Sequence, residues 1–218
     1  SIISHVYKKA LEANIGEVYV ATEDNEILDD VKINGGNAII TSSKHKTGTD
    51  RIFEAYKKLK IKDVDYVINL QGDEPMINIE DIKNLNRNAI KNKSEITTLA
   101  CKIEDKNSLC KSDIVKVITD EKISKGNMSR ANTFSRKISF SYNTNIYHHI
   151  GIYMYKVSIL EKFVNLRQSK NEIDLKLEQL RAIDNNMKIN VVLAKSSPIG
   201  VDTEEDFLEL KKIMNYKN

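Results

Sequence analysis

Two acidic residues invite a chemical reading first. Asp73 stands in Leu70-Gln71-Gly72-Asp73-Glu74-Pro75, directly after Asp65-Tyr66-Val67-Ile68-Asn69-Leu70, the most strand-like run in the sequence. A run apolar on both faces reads as a central parallel strand, and open α/β sheets bind ligands at the carboxyl ends of such strands. One hard carboxylate beside a phosphate suits Mg2+, which keeps several waters and takes few protein ligands. A solvated turn is the alternative. Asp202, in Gly200-Val201-Asp202-Thr203-Glu204-Glu205-Asp206, reads either as a second carboxylate for the same ion or as part of a helix start capped by Thr203.

Three further groupings could touch a ligand. Lys46-Thr47-Gly48-Thr49-Asp50-Arg51 places small polar residues ahead of a helix, where backbone N–H groups and hydroxyls can face a base or phosphate. Capping by Thr49 or Asp50 is the plainer reading. Only six of the 34 basic residues are Arg, which tilts Arg51 toward function. Tyr147-His148-His149-Ile150-Gly151 enters a strand, and adjacent strand residues point to opposite faces, so the two His do not form a ligand pair. One of them lining a pocket fits better. In Leu177-Glu178-Gln179-Leu180-Arg181 the two Leu pack inward, while Glu178, Gln179 and Arg181 read hydroxyls or form a solvated face. No G-x-S-x-G, C-x-x-C, G-x-x-x-x-G-K-[ST] or G-x-G-x-x-G pattern occurs.

Composition limits what these residues can serve. The 218 residues are 40% hydrophobic and 30% charged, with a formal charge of +3. Balanced charge argues against a general nucleic-acid binder, and apolar runs such as Val191-Val192-Leu193-Ala194 are too short to insert in a membrane. Cys101 and Cys110 form neither a disulfide framework nor a zinc site, which points to a reducing, cytoplasmic setting.

The elements that must position these residues alternate. Helical spacing runs from Ile2 to Leu11 with a stop at Asn14-Ile15-Gly16, then come a strand over 17–22, a helix over 26–34, a strand over 38–41 and a helix from Asp50 to about Lys60. The Asp73 strand, a helix over 79–92 and a strand over 96–103 follow. This order predicts a βαβ sheet. A chain of this class that opens on a helix is expected to lack a leading strand and the phosphate-holding loop after it. The pattern then changes to strands over 114–119, 134–138 and 150–155, around a polar loop over 121–132. Helices over 157–166 and 172–185, a strand over 189–194 and a helix over 203–214 complete the reading. The whole reads as a single unit, 1–218.

Taken in order, His45-Lys46-Thr47-Gly48-Thr49-Asp50-Arg51, Asn69-Leu70-Gln71-Gly72-Asp73-Glu74-Pro75, Phe134-Ser135-Arg136, His149-Ile150-Gly151-Ile152-Tyr153, Leu177-Glu178-Gln179-Leu180-Arg181 and Gly200-Val201-Asp202-Thr203 resemble the bacterial 3-deoxy-manno-octulosonate (Kdo) cytidylyltransferases, or CMP-Kdo synthetases. The resemblance implies a three-layer α/β sheet of the nucleotide-diphospho-sugar transferase type, with a smaller β-rich part over 113–155 used for homodimerisation. It implies transfer of CMP from CTP to the acidic sugar Kdo, with pyrophosphate released, for lipopolysaccharide assembly. Asp73 and Asp202 would hold Mg2+, and Thr47, Gly48, Thr49, Asp50, Arg51 and Gln71 would line the nucleotide. Arg136, His149, Glu178 and Gln179 would surround the sugar acid. Apolar faces of 114–119 and 134–140 would be covered by the second subunit. Ser169-Lys170-Asn171-Glu172 departs from the family pattern, which has a Pro there. A cytidylyltransferase for a related sugar acid such as 8-amino-Kdo, and an inactive nucleotide-binding dimer, are the competing readings.

Overall fold

A computed structural model describes residues 1–103, 105–138, 145–195 and 204–213. The chain opens with α1 (Ile2–Ala13), which ends as its sequence predicts: Asn14 adopts the left-handed conformation and stops it. A parallel pair follows, β1 (Val20–Thr22) and β2 (Ala38–Ile40), joined by α2 (Asn25–Ile33). After α3 (Gly48–Leu59) come β3 (Tyr66–Asn69), α4 (Ile79–Lys91) and β4 (Ile96–Cys101). The second half contributes β5 (Lys116–Thr119), β6 (Ser129–Ser135), β7 (Asn145–Lys156), α5 (Val157–Val164), α6 (Lys170–Leu175), α7 (Leu180–Asp184), β8 (Ile189–Leu193) and α8 (Glu204–Ile213).

Six strands form the main sheet in the order β3-β7-β4-β8-β6-β5, and β7 also pairs with β5. The pairings β4–β8, β8–β6, β6–β5, β5–β7 and β7–β4 therefore return to their start, so half of the sheet curls into a ring. A register shift between Thr98 and Leu99 marks the bend in β4.

The sheet lies between two apolar layers, and β7 shows how the sequence sorts them. Tyr147, Tyr153 and Tyr155 join Leu160, Phe163 and Leu180 on one face, whereas Ile150, Ile152 and Met154 join Ile82 and Leu85 of α4 on the other. Successive residues of a strand point to opposite faces, so a strand buried on both sides must be apolar throughout. β7 is buried along most of its second half, whereas β3 is half-exposed at Tyr66, Val67 and Ile68 and among the described strands pairs only with β7, and antiparallel. The central parallel placement expected for the Asp73 strand is thus corrected.

Three other expectations change. The loop expected to reach residue 132 ends earlier, because β6 begins at Ser129, and Ile123 within it is buried beneath the Tyr147 hydroxyl. The helix expected over 172–185 is two helices, separated by Lys176 in the left-handed conformation. Of the apolar side chains expected to be left bare over 114–119 and 134–140, Val117 and Phe134 are buried within one chain, while Ile114, Val115, Ile118 and Ile138 remain half-exposed. Residues 139 and 140 of that expectation lie outside the described residues.

Candidate functional site

The site is assembled where the start of α3 meets the turn before α7. Thr47 caps α3: its hydroxyl faces the Asp50 N–H at 3.3 Å and donates to the Asp50 carboxylate at 2.9 Å. Thr49, the second residue of the helix, is fully buried, and its hydroxyl donates to Glu178 Oε1 at 2.5 Å. Glu178 reaches it because Lys176 breaks the helix just before Leu177-Glu178-Gln179 and turns that segment inward. Glu178, Gln179 and Arg181 are therefore no solvated face: Gln179 is 5% and Arg181 2% exposed. Burial raises the Glu178 pKa, while hydrogen bonds from Thr49 and Thr47 and the charge of Arg181 oppose the rise.

Arg181 binds Glu172 through two parallel hydrogen bonds of 2.9 and 2.6 Å and reaches Asp50 at 3.2 Å. Its guanidinium also lies over the Phe163 ring, 4.6 Å from the centroid. Glu172 is oriented in turn by Ser169, the two forming a reciprocal cap at the start of α6. That cap gives Ser169 and Glu172 a structural role at the place where the sequence departs from the family pattern. Arg181 thus ties the cap of α3 to the cap of α6.

From Phe163 a chain of rings crosses the sheet. Tyr155 lies 5.9 Å from Phe163, Tyr153 5.8 Å from Tyr155, His149 5.4 Å from Tyr153 and Phe134 5.0 Å from His149. His149 Nε2 shares a 3.0 Å hydrogen bond with the Thr98 hydroxyl. Burial, with a smaller push from His148, lowers the His149 pKa to about 3, so the ring is neutral at pH 7. Among the described residues the Tyr153 hydroxyl and the Asn69 amide nitrogen are buried without a hydrogen-bond partner. Polar atoms so placed are uncommon in a finished core and common where a ligand completes the bonding.

The Asn69 amide lies at the end of β3, directly across from Tyr153 in the β3–β7 register. A side chain at Gly48 would meet Asn69 Nδ2 at 3.6 Å and the Gln71 amide at 3.7 Å, and one at Gly151 would meet Gln71 Cγ at 3.7 Å. Gly48, Asn69, Gln71 and Gly151 therefore converge, which brings together Gly48 and Gln71 of the residues expected to line a nucleotide. Asp73 is exposed just beyond, in the turn after β3. Arg51 makes an ion pair with Glu23 and a 2.8 Å bond to the Thr41 hydroxyl. Arg136 lies just past β6, where Nε donates to the Leu175 carbonyl at 3.2 Å and Nη1 to the Ser112 carbonyl at 3.1 Å. Asp202 lies outside the described residues.

Among the described residues no three His, Cys, Asp or Glu side chains form a metal cage. The exposed Asp73 carboxylate at a strand end suits an ion that takes one or two carboxylates and completes its shell with water and substrate phosphate, as Mg2+ does.

Residues 1–189 match the model of the family described as cytidylyltransferase. A protein of Thermodesulfovibrio yellowstonii named 3-deoxy-manno-octulosonate cytidylyltransferase is 44% identical, across 98% of this chain and 88% of its own length. The chain belongs to the 3-deoxy-manno-octulosonate cytidylyltransferase family. A family member from Bartonella henselae is 38% identical over 98% of this chain and 87% of its own. A solved structure described as CMP:2-keto-3-deoxy-manno-octonic acid synthetase complexed with CTP superposes with a TM-score of 0.87 at 32% identity, covering 98% of this chain and 87% of that one. UDP-glucose pyrophosphorylase in its apo form shares the fold alone, with a TM-score of 0.69 at 14% identity over 98% of this chain and 86% of its own. Thr49, Glu178 and Gln179 all come from blocks that carry the family resemblance. Tyr153 was also within such a block, but only its burial beside Glu178 marks it out. Tyr155 and Thr98 carry no sequence signal beyond strand patterning.

Proposed function

We propose that this cytidylyltransferase transfers CMP from CTP to 3-deoxy-manno-octulosonate and releases pyrophosphate. The observation that carries the reading is the meeting of Thr49 and Glu178, which sets the start of α3 against a buried polar group able to bond the hydroxyls of a sugar. The names of the relatives support the same substrates.

In this reading the nucleotide lies along Gly48, Asn69 and Gln71. The sugar acid lies toward Glu178, Gln179, Tyr153 and His149, with its carboxylate on Arg136, whose planar fork can grip a carboxylate through two hydrogen bonds. The anomeric hydroxyl oxygen attacks the α-phosphorus in line and pyrophosphate leaves from the opposite side. Glu178 and the neutral His149 orient the sugar hydroxyls rather than act as covalent nucleophiles. Asp73 and Asp202 would hold Mg2+, which when bound neutralises phosphate charge and lowers the pKa of a coordinated hydroxyl. A cytoplasmic homodimer belongs to the same proposal: Ile173 and Leu175 of α6 are 58% and 39% exposed, and light scattering at micromolar concentration reports the state.

The test is pyrophosphate release from each nucleoside triphosphate in turn with a panel of acidic sugars. CTP with Kdo is expected to be the best pair, and Asp73→Asn to remove activity while leaving the thermal melt in place. Preference for 8-amino-Kdo would transfer the proposal to that sugar; turnover by Asp73→Asn equal to wild type would remove Asp73 from the chemistry.

A further inference from the structure

A second buried cation lies apart from Arg181. Lys116 opens β5 in the run Val115-Lys116-Val117, whose alternation reads as an outward-facing Lys, yet the residue is 0% exposed. In register it lies between Ser135 of β6 and His148 of β7. Its ammonium donates to the Lys111 carbonyl and, at 2.9 Å, to the Arg136 carbonyl. Arg136 returns the contact, its Nη1 donating to the next carbonyl of the same segment, Ser112, at 3.1 Å. Lys116 and Arg136 therefore brace residues 111–112 through two consecutive carbonyls, and Lys116 also fixes the backbone of Arg136.

A buried ammonium is tolerated when its protons are accepted, and carbonyl groups accept them without cancelling the charge. The charged and titratable groups that bear on Lys116 are Asp113, Cys110, Arg136 and His148. Asp113 acts most strongly among these charges but is exposed and makes no hydrogen bond to the ammonium, whose acceptors are both neutral carbonyls. Met would fill much of the same space without that cost, but could hold neither carbonyl.

We propose that Lys116 is a positioning residue for the sugar acid: it fixes the backbone at Arg136 and the 111–112 carbonyls, so that the Arg136 guanidinium meets the substrate carboxylate at one angle. This rests on the reading of Arg136 as the carboxylate-binding residue. Lys116 acts through Arg136 and does not touch the reacting atoms.

A double-mutant cycle separates the two ideas. Steady-state kinetics are measured for Lys116→Met, Arg136→Lys and the double variant of the full-length protein, varying Kdo and CTP separately, with thermal melts as fold controls. Lys116→Met is expected to raise the KM for Kdo about tenfold or more, the scale on which misplacement of a positioning group acts. The KM for CTP should stay within about twofold, and the double variant should be no worse than the poorer single one, as coupled residues behave. Additive effects, or equal effects on both substrates, overturn the proposal. If Arg136→Lys spares Kdo use, the reading of Arg136 falls and takes this proposal with it. If Arg136→Lys impairs Kdo use and Lys116→Met does not, only the positioning role falls. Should Lys116→Met not fold, Lys116→Gln, which keeps a shorter donor, enters the same cycle under the same criteria.

Discussion

Arg181 and Lys116 are both buried cations, and the protein satisfies them by opposite means. Arg181 is met by two carboxylates, Glu172 and Asp50, in a fork geometry with a ring beneath it. Lys116 is met by backbone carbonyls of residues 111 and 136. The difference is one of countercharge. Around Arg181 two carboxylates more than offset the single positive charge, so the unit serves as a strut between the caps of α3 and α6. Around Lys116 the bonded acceptors are neutral and no carboxylate is held in contact with the ammonium, which suits a place beside an arginine that receives an anionic substrate. Burial opposes both positive charges: at Arg181 the carboxylates of Glu172 and Asp50 outweigh it and the pKa rises, whereas at Lys116 Asp113 and Cys110 do not and the pKa falls.

The contrast breaks most visibly on the Arg181 side. Arg181→Met leaves Glu172, itself 3% exposed, as a buried carboxylate without its partner. Breaking one half of such a pair costs about 3–5 kcal/mol. Urea unfolding at pH 7 should show that loss, and a loss no larger than that of Lys116→Met would mean that the carboxylates are not what distinguishes the two centres. For Lys116→Met the expected loss is smaller, about 1–2 kcal/mol, because the carbonyls it abandons are neutral and Lys111 lies in an exposed segment.

The third buried base sharpens the comparison by taking neither course. His149 has no carboxylate partner among the described residues; it gives up its charge instead, with a pKa of about 3. The sign follows from linkage. The unfolded chain takes up a proton near pH 6.5 and the folded His149 does not, so stability is full above about 6.5 and declines as pH falls toward 3. By pH 5 the decline reaches about 2 kcal/mol from this residue. His5 and His148 are displaced in the same direction, chiefly by burial, and add to it. Replacing His149 with Gln, which can still bond Thr98, should flatten the urea-midpoint profile between pH 7.5 and 5. An unchanged slope would assign the acid lability elsewhere.

What could be read from the sequence, and what could not, follows the same physics. Helix caps are local: Thr47 before Gly48 and Asn14 after Ala13 act within a few residues, and the helices begin and end there. Family blocks located Glu178 and Gln179 but left them between ligand contact and solvated face. Their burial depends on Lys176 taking a left-handed conformation, an uncommon choice for a Lys that no pattern announces. Lys116 misleads more strongly, since alternation in Val115-Lys116-Val117 predicts a wet face and cannot foresee carbonyls arriving from residues 111 and 136. The central place assigned to β3 failed because an apolar strand announces burial but not its neighbours, and β7, 12 residues long, took the shared position.

The smallest expected effect concerns Gly48, whose own surroundings are the Asn69 and Gln71 amides rather than either buried cation. Gly48 occupies the first turn of α3, and a methyl group there would rest at 3.6–3.8 Å from the Asn69 and Gln71 amides, an ordinary contact distance. Gly48→Ala should therefore fold without strain, and lower chain entropy in the unfolded state should stabilise it by about 0.5 kcal/mol. The same methyl group would sit between the α3 loop and the Asn69 amide that lacks a partner among the described residues. If that amide and Gln71 face the nucleotide, CTP binding by calorimetry weakens several-fold while the melt rises slightly, and Kdo use measured at saturating CTP is unchanged. A melt that rises with CTP affinity intact would show that the surface beside Gly48 faces solvent, and would move the nucleotide toward Arg51 and the 42–46 loop.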